Sequence, residues 1–255
     1  MEKFSVPNIA IIGSGRVAKS LALFFNSKGI KITGIHSRNK NTGQECADIF
    51  QCDLVANANM LLADLILVAV TDDQTIELIN SLPSHYNVIY TAGSIDLNEI
   101  THPNSGVFYP LQTFNGIESN DSLYFPVLTE SKTTDLMELM NTLCIHCEVQ
   151  MEVCDSTKRK DYHLVAVFLN NFINHIGHLA KKENDQRNLN WEILKPLIDK
   201  TFHNILNNNT LKNQTGPATR RDLAVIKKHE NMLNEQSLRV YQSLTESIMK
   251  TMNTK

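Results

Sequence analysis

Charge of one sign, long apolar runs and paired cysteines are what this chain lacks, and each shortage removes a class of function. Its 24 Lys and Arg against 27 Asp and Glu leave a formal net charge of −3, which gives no basic surface for nucleic acid or for an anionic membrane. No apolar stretch approaches the roughly 18 residues needed to span a bilayer. Residues Met1 to Pro7 carry no signal-peptide layout and lead directly into an apolar run. Five cysteines form an odd set without disulfide-framework spacing, which points to a reducing cytoplasm. Cys144-Ile-His-Cys147 has the outline of a metal or redox motif, but no second Cys/His pair stands at zinc spacing. The expectation is core cysteines and no metal site. The 255 residues, 42% hydrophobic and 20% charged, suit a soluble globular chain of one large domain or two smaller ones.

Against that background, residues 8–18 stand out. The apolar run Ile9 to Ile12 stops at Gly13-Ser14-Gly15 and resumes with helical spacing at Val17, Ala18, Leu21 and Phe25. The pattern predicts a buried parallel strand turning sharply into a helix, the geometry that binds a dinucleotide pyrophosphate. Gly13 would permit the tight turn, Gly15 would let backbone approach phosphate, and Ala18 would let helix and strand pack closely. Ser14, Arg16 and Val17 complete the turn whose N–H groups face the anion.

Alternating strands and helices follow, which predicts a doubly wound parallel sheet. Strands are expected at Ile30–Ile35, Asp53–Ala56, Ala63–Val70, Asn87–Thr91, Phe108–Phe114 and Leu123–Leu128, with helices at 41–50 and 74–82. Gly29 marks the end of the first helix, and Asp72 is a candidate N-cap for the helix after Val70. Where NAD-binding units carry an acid for the ribose 2′-hydroxyl, this chain has Ser37 and Arg38. A hydroxyl beside a guanidinium suits a 2′-phosphate, so NADP rather than NAD is expected. Ligands of open α/β sheets gather at the carboxyl ends of strands, which puts Ala69, Val70 and Thr71, and Ala92, Gly93 and Ser94, beside the nicotinamide half. Tyr109, Gln112 and Thr113 surround Pro110 and could line a cleft or simply pack under the sheet.

Beyond Asp155 glycine becomes rare and three long amphipathic patterns run over 156–183, 190–207 and 217–251. The chain thus divides into a dinucleotide-binding domain, 1–154, and an all-α domain, 155–255. Asp155, Ser156 and Thr157 offer N-caps, Thr215 is a cap candidate, and Pro217 suits a first helical turn. At 100° per residue His163, Val167, Asn170, Asn174 and His178 share one face, with Asn171 beside them. Leu164, Val165, Ala166, Phe168, Leu169, Phe172 and Ile173 surround them, so the helix is expected to be buried. Its polar groups would then need partners, among them a substrate, neighbouring loops or a wet dimer seam.

These segments resemble the Rossmann-like NADP oxidoreductase family with a helical C-terminal domain of unknown function. The resemblance rests on Ile11–Ala18, Ser37-Arg38, Ala69–Asp73, Phe108–Phe114, His163–Asn171 and Thr215–Asp222. More distantly the chain is similar to pyrroline-carboxylate reductases, prephenate dehydrogenases, β-hydroxyacid dehydrogenases and deazaflavin-dependent NADP reductases. The resemblance implies a helical domain that builds a homodimer, with the active site between the domains. Where hydroxyacid dehydrogenases present Lys and Asn one turn apart, this chain has His163 and Val167, so a histidine mechanism like that of prephenate dehydrogenases fits better. The expected activity is hydride transfer between NADP and a small carbonyl, imine or hydroxy compound. His163 would be the general acid–base, since imidazole exchanges protons near neutral pH, and Asn170 and Asn171 would orient the substrate. The loop Thr215, Gly216 and Pro217 would close the site, Arg220 would hold an anionic group, and Asp222 would fix Arg220 or the loop. The competing reading is a non-catalytic NADP sensor or scaffold acting through a helical dimer.

Overall fold

The computed structural model describes residues 5–114 and 124–253. Part of the strand expected at Leu123–Leu128 therefore lies outside the described residues. Contacts divide the chain into two compact units, 1–171 and 172–255, whereas strands give way to helices earlier, between Val153 and Ser156.

In the first unit, β1 (Ile9–Ile12) is wholly buried. Its side chains alternate between the two faces of the sheet: Ile9 and Ile11 join one apolar cluster, Ala10 and Ile12 the other. The strands β2 (Ile32–His36), β3 (Asp53–Leu54), β4 (Leu65–Val68), β5 (Val88–Tyr90) and β6 (Ser105–Pro110) run parallel to it. β7 (Val127–Ser131) is antiparallel to β6, and β8 (Met151–Val153) runs parallel to β7. The order β3-β2-β1-β4-β5-β6-β7-β8 reverses direction between β1 and β4, the switch point where doubly wound sheets bind ligands. Pro110 ends β6 opposite Val127, a place where its missing N–H is tolerated.

One face is covered by α1 (Arg16–Ser27), α2 (Lys40–Phe50) and α4 (Thr134–His146), the other by α3 (Asp72–Ser81). Helix α1 buries Ala18, Leu21, Ala22, Phe24 and Phe25. Lys28 is its C-cap and Gly29, at φ +77°, follows it. Asp72 is not the N-cap of α3; Thr71 occupies that position without a side-chain cap, and Asp72 lies in the first turn. Cys144 and Cys147 are free thiols packed in the core.

The long pattern 156–183 is not one α-helix. α5 (Ser156–Ala166), capped by Asp155 on Lys158 N at 2.8 Å, passes into a π-helical turn at Val167–Phe172 and then α6 (Ile173–Gln186). The wider turn breaks the 100° register, so the expected single face from His163 to His178 does not hold. Nor is this stretch buried within the chain: Leu164, Val165, Phe168, Leu169, Phe172 and Ile176 are all exposed.

In the second unit, a short 3₁₀ turn (Trp191–Leu194) precedes α7 (Lys195–Leu206). The last pattern breaks into α8 (Pro217–Arg220), α9 (Leu223–Glu230) and α10 (Glu235–Asn253). Arg221 adopts left-handed backbone at φ 55°, which ends α8. Ser237 Oγ donates to Glu183 Oε1 at 2.7 Å and ties α10 to α6. Among the described residues no helix is long and apolar enough to cross a membrane.

Candidate functional site

All six parallel strands end on the same edge of the sheet, and two cavities of the first unit open there. The first, about 930 Å³, lies over the turns that follow β1, β2 and β4. Gly13 to Val17, Ser37, Arg38 and Ala69 to Thr71 all line it, with Thr91 after β5.

The β1–α1 turn is shaped by two glycines with different tasks. Gly13 has φ +124°, and a Cβ there would lie 2.2 Å from the Ala69 carbonyl oxygen; only glycine lets the turn pass under the β4 loop. Gly15 has ordinary extended backbone at φ −76°, and an added Cβ would meet no protein atom within 4 Å. It faces open cavity. Gly15 is also the N-cap of α1, with no side-chain cap bond and no acid in the first turn. The first N–H groups and the positive helix end are thus left for an anion from outside.

At the end of β2, Ser14 Oγ lies 2.7 Å from both Ser37 Oγ and Thr42 Oγ1. Asn39 caps α2, accepting from the N–H groups of Asn41 and Thr42 at 3.1 and 3.2 Å. A Cβ on Gly43 would lie 2.9 Å from Ser37 Cβ, so this glycine lets α2 press against the serine. Thr42 and Gly43 were not evident from sequence, where they read as ordinary helix positions. Among the described residues neither Arg16 nor Arg38 is in an ion pair.

The second cavity, about 600 Å³, is walled by the chain leaving β6 and by α5 with the π-turn. The Tyr109 hydroxyl and His163 Nδ1 are hydrogen-bonded at 2.8 Å. Asn170 Nδ2 donates to Thr113 Oγ1, and Gln112, Tyr162 and Asn171 also face the cavity. The π-turn matters here: it carries Asn170 and Asn171 onto the wall that His163 shares. Burial pushes the Tyr109 phenol up, while the Arg159 charge opposes the rise.

The residues after β5 that were expected beside the nicotinamide, Ala92, Gly93 and Ser94, line neither cavity. Thr91 lines the first, whereas Ala92 and Gly93 are buried behind it and Ser94 Oγ donates to Asp72 Oδ2. A Cβ on Gly93 would stand 2.8 Å from two ring atoms of Tyr109. Arg159, fully buried, grips this loop from α5. Nothing in a single sequence marks an arginine on a helix as buried.

Thr215, Gly216, Pro217 and Arg220 belong to the second unit. There Gly216, not Thr215, is the N-cap of α8, at φ +108°, and Pro217 opens the helix. Asp222 does not hold Arg220; its Oδ1 accepts from Val225 N at 3.1 Å and caps α9. Among the described residues no group of three or more His, Cys, Asp or Glu is placed to hold a metal.

Comparisons with known proteins agree with this geometry. The family described as NADP oxidoreductase coenzyme F420-dependent matches residues 8–90, and the domain of unknown function DUF2520 matches residues 125–248. The chain is 31% identical to "putative NADP oxidoreductase BF3122" from Bacteroides fragilis, over 95% of this chain and 98% of that one, with a TM-score of 0.83. Its fold also resembles an imine reductase from Myxococcus stipitatus solved with NADP+ (TM-score 0.68, 13% identity, 97% and 94% covered). A third match is the 1-pyrroline-5-carboxylate reductase of Streptococcus pyogenes (TM-score 0.61, 13% identity, 98% and 99% covered). No curated protein matches the chain in sequence.

Proposed function

The chain belongs to the family in which an NADP oxidoreductase domain precedes a DUF2520 domain, and from that premise we propose that it reduces a small carbonyl or imine, or runs the reverse oxidation of a hydroxy or amino compound. The observation that carries this reading is the uncapped start of α1 over an open glycine, with a tyrosine–histidine pair in a second cavity on the same edge of the sheet. The first cavity fits the dinucleotide. Backbone N–H groups of residues 15–17 would hold the pyrophosphate, and the open side of Gly15 leaves it room. Ser37 and Arg38 would hold a 2′-phosphate, with the Ser14–Ser37–Thr42 hydroxyl cluster fixing the serine. NADPH, when bound, supplies the hydride.

The protein's own residues would handle the proton. With His163 protonated, Nδ1–H would donate to the Tyr109 hydroxyl oxygen and Nε2–H would pass its proton to the substrate's oxygen or nitrogen, leaving a neutral ring. Asn170, held by Thr113, and Asn171 would orient the acceptor. The exposed apolar side chains of 164–176 suit burial in a homodimer formed through these helices.

Two measurements test the reading. Fluorescence titration should show NADPH binding more tightly than NADH; equal affinities remove the role given to Arg38. NADPH oxidation should then be detected in a panel of keto acids, cyclic imines and a deazaflavin. Binding without turnover across the panel would favour a sensor instead.

A further inference from the structure

Arg159 has no part in the chemistry above, yet it is fully buried one helical turn before His163. Its Nε donates to the Gly93 carbonyl at 3.2 Å. Its Nη2 donates to the Ile95 carbonyl at 2.6 Å and to Ser156 Oγ at 3.0 Å, and Nη1 pairs with Glu130 of β7. A planar guanidinium is suited to joining several acceptors at once. Here it ties the loop after β5 to α5 and β7. Removing such a pair from water is costly, and apolar packing often replaces it without loss of stability. The loop it grips leads to the candidate site, because the Tyr109 ring rests directly on Gly93 and its hydroxyl bonds His163.

We propose that Arg159 is a positioning residue: by fixing Gly93 and Ile95 it sets the floor under the Tyr109 ring and so the Tyr109–His163 hydrogen bond. The inference rests on the reading of Tyr109 and His163 as the proton-handling pair. Its charge acts on the same phenol. Burial raises Tyr109, Arg159 lowers it, and Asp72 at the start of α3 raises it. Other titratable groups near Arg159 and this phenol include His163 and Tyr162 on α5, Glu130 of β7, Tyr90 of β5, whose hydroxyl donates to the Ile95 carbonyl at 3.4 Å, and Cys154 before α5.

The test uses the full chain with Arg159→Lys and Arg159→Met, and Glu130→Gln/Arg159→Met in case the single Met variant does not fold. The Tyr109 titration, read as the absorbance difference from Tyr109→Phe in each background, should move to higher pH in the Met variants. Arg159→Lys, which keeps the charge, should leave it near that of the parent. With NADPH and a cyclic imine, Arg159→Lys should lower kcat at least about tenfold, with KM for NADPH within about twofold. In the Tyr109→Phe background the same change should lower kcat no further. A residue that only stabilises the fold would lower kcat equally in both backgrounds and leave the Tyr109 titration in place; that result overturns the proposal. If the parent oxidises no NADPH with any probe, the functional reading fails. The Tyr109 titration then decides alone whether Arg159 governs this tyrosine.

Discussion

Replacing each of the two turn glycines by alanine should have opposite consequences, and the contrast tests the first cavity. At Gly15 the backbone is ordinary and the new methyl meets no protein atom. Alanine is a poorer N-cap than glycine by up to about 1 kcal/mol, but it gains roughly 0.4–1 kcal/mol by restricting the unfolded chain. The two nearly cancel, so Tm should move by no more than about 2–4 °C. The methyl does, however, enter the space where a pyrophosphate would approach. Losing one N–H bond to a charged oxygen costs about 1.5–3 kcal/mol, which raises the Kd for NADPH roughly 10- to 150-fold. At Gly13 the Cβ would stand 2.2 Å from the Ala69 carbonyl oxygen at φ +124°. Strain of that kind costs on the order of 1–3 kcal/mol, and pushing the β4 loop away adds to it. Gly13→Ala should therefore lower Tm by on the order of 5–10 °C. Calorimetry and NADPH fluorescence titration read both effects. A Gly15→Ala protein that binds NADPH as tightly as the parent would refute the cradle.

Other outcomes follow from the same geometry. Arg38→Ala should raise the Kd for NADPH by about tenfold or more and leave NADH unchanged, as read by fluorescence; an equal loss for both refutes the 2′-phosphate role. His163→Ala should abolish turnover with NADPH affinity intact, and undiminished steady-state rates would remove its proton-transfer role. Burial pushes Cys52 and Cys147 up to about 11 and Cys144 up to about 12. The folded chain therefore keeps thiol protons that the unfolded chain releases as pH rises from the ordinary thiol range toward 11. Stability should fall across that window, and a Tm that is flat or rising between pH 8.5 and 10.5 would contradict it. Sedimentation at micromolar concentration should give a dimer, and Phe168→Glu should give a monomer with Tm little changed; a monomeric parent refutes the association.

The parallel half of the fold was legible because its signals are local. A wholly apolar strand, two glycines and a helical period follow one another in residues 9–25, and each is read from its neighbours alone. Strand ends were less legible: β2 starts at Ile32 rather than Ile30, and β4 covers only Leu65–Val68 of the expected Ala63–Val70. Hydrophobicity marks what is buried, whereas pairing marks what is strand. Caps misled in two places, at Asp72 and Thr215, since Thr71 and Gly216 fit the turning backbone and no side-chain bond decided the position. The π-turn escaped detection for a physical reason. Its hydrogen bonds shift by one residue, and Val167–Phe172 has nothing in its composition to distinguish it from α-helix.

The sequence by itself determined the turns that line the first cavity. Gly13 is marked by its backbone, Gly15 by its missing side chain, and Ser37 and Arg38 by their polar groups, all at fixed spacing along a short stretch of chain. Tertiary structure alone decided the second cavity. It brought Tyr109 to His163 across 54 residues, set Thr113 against Asn170, and buried Arg159 under Gly93. Those contacts depend on where β6 ends relative to α5, and that depends on how the whole sheet is paired rather than on any stretch of chain read alone.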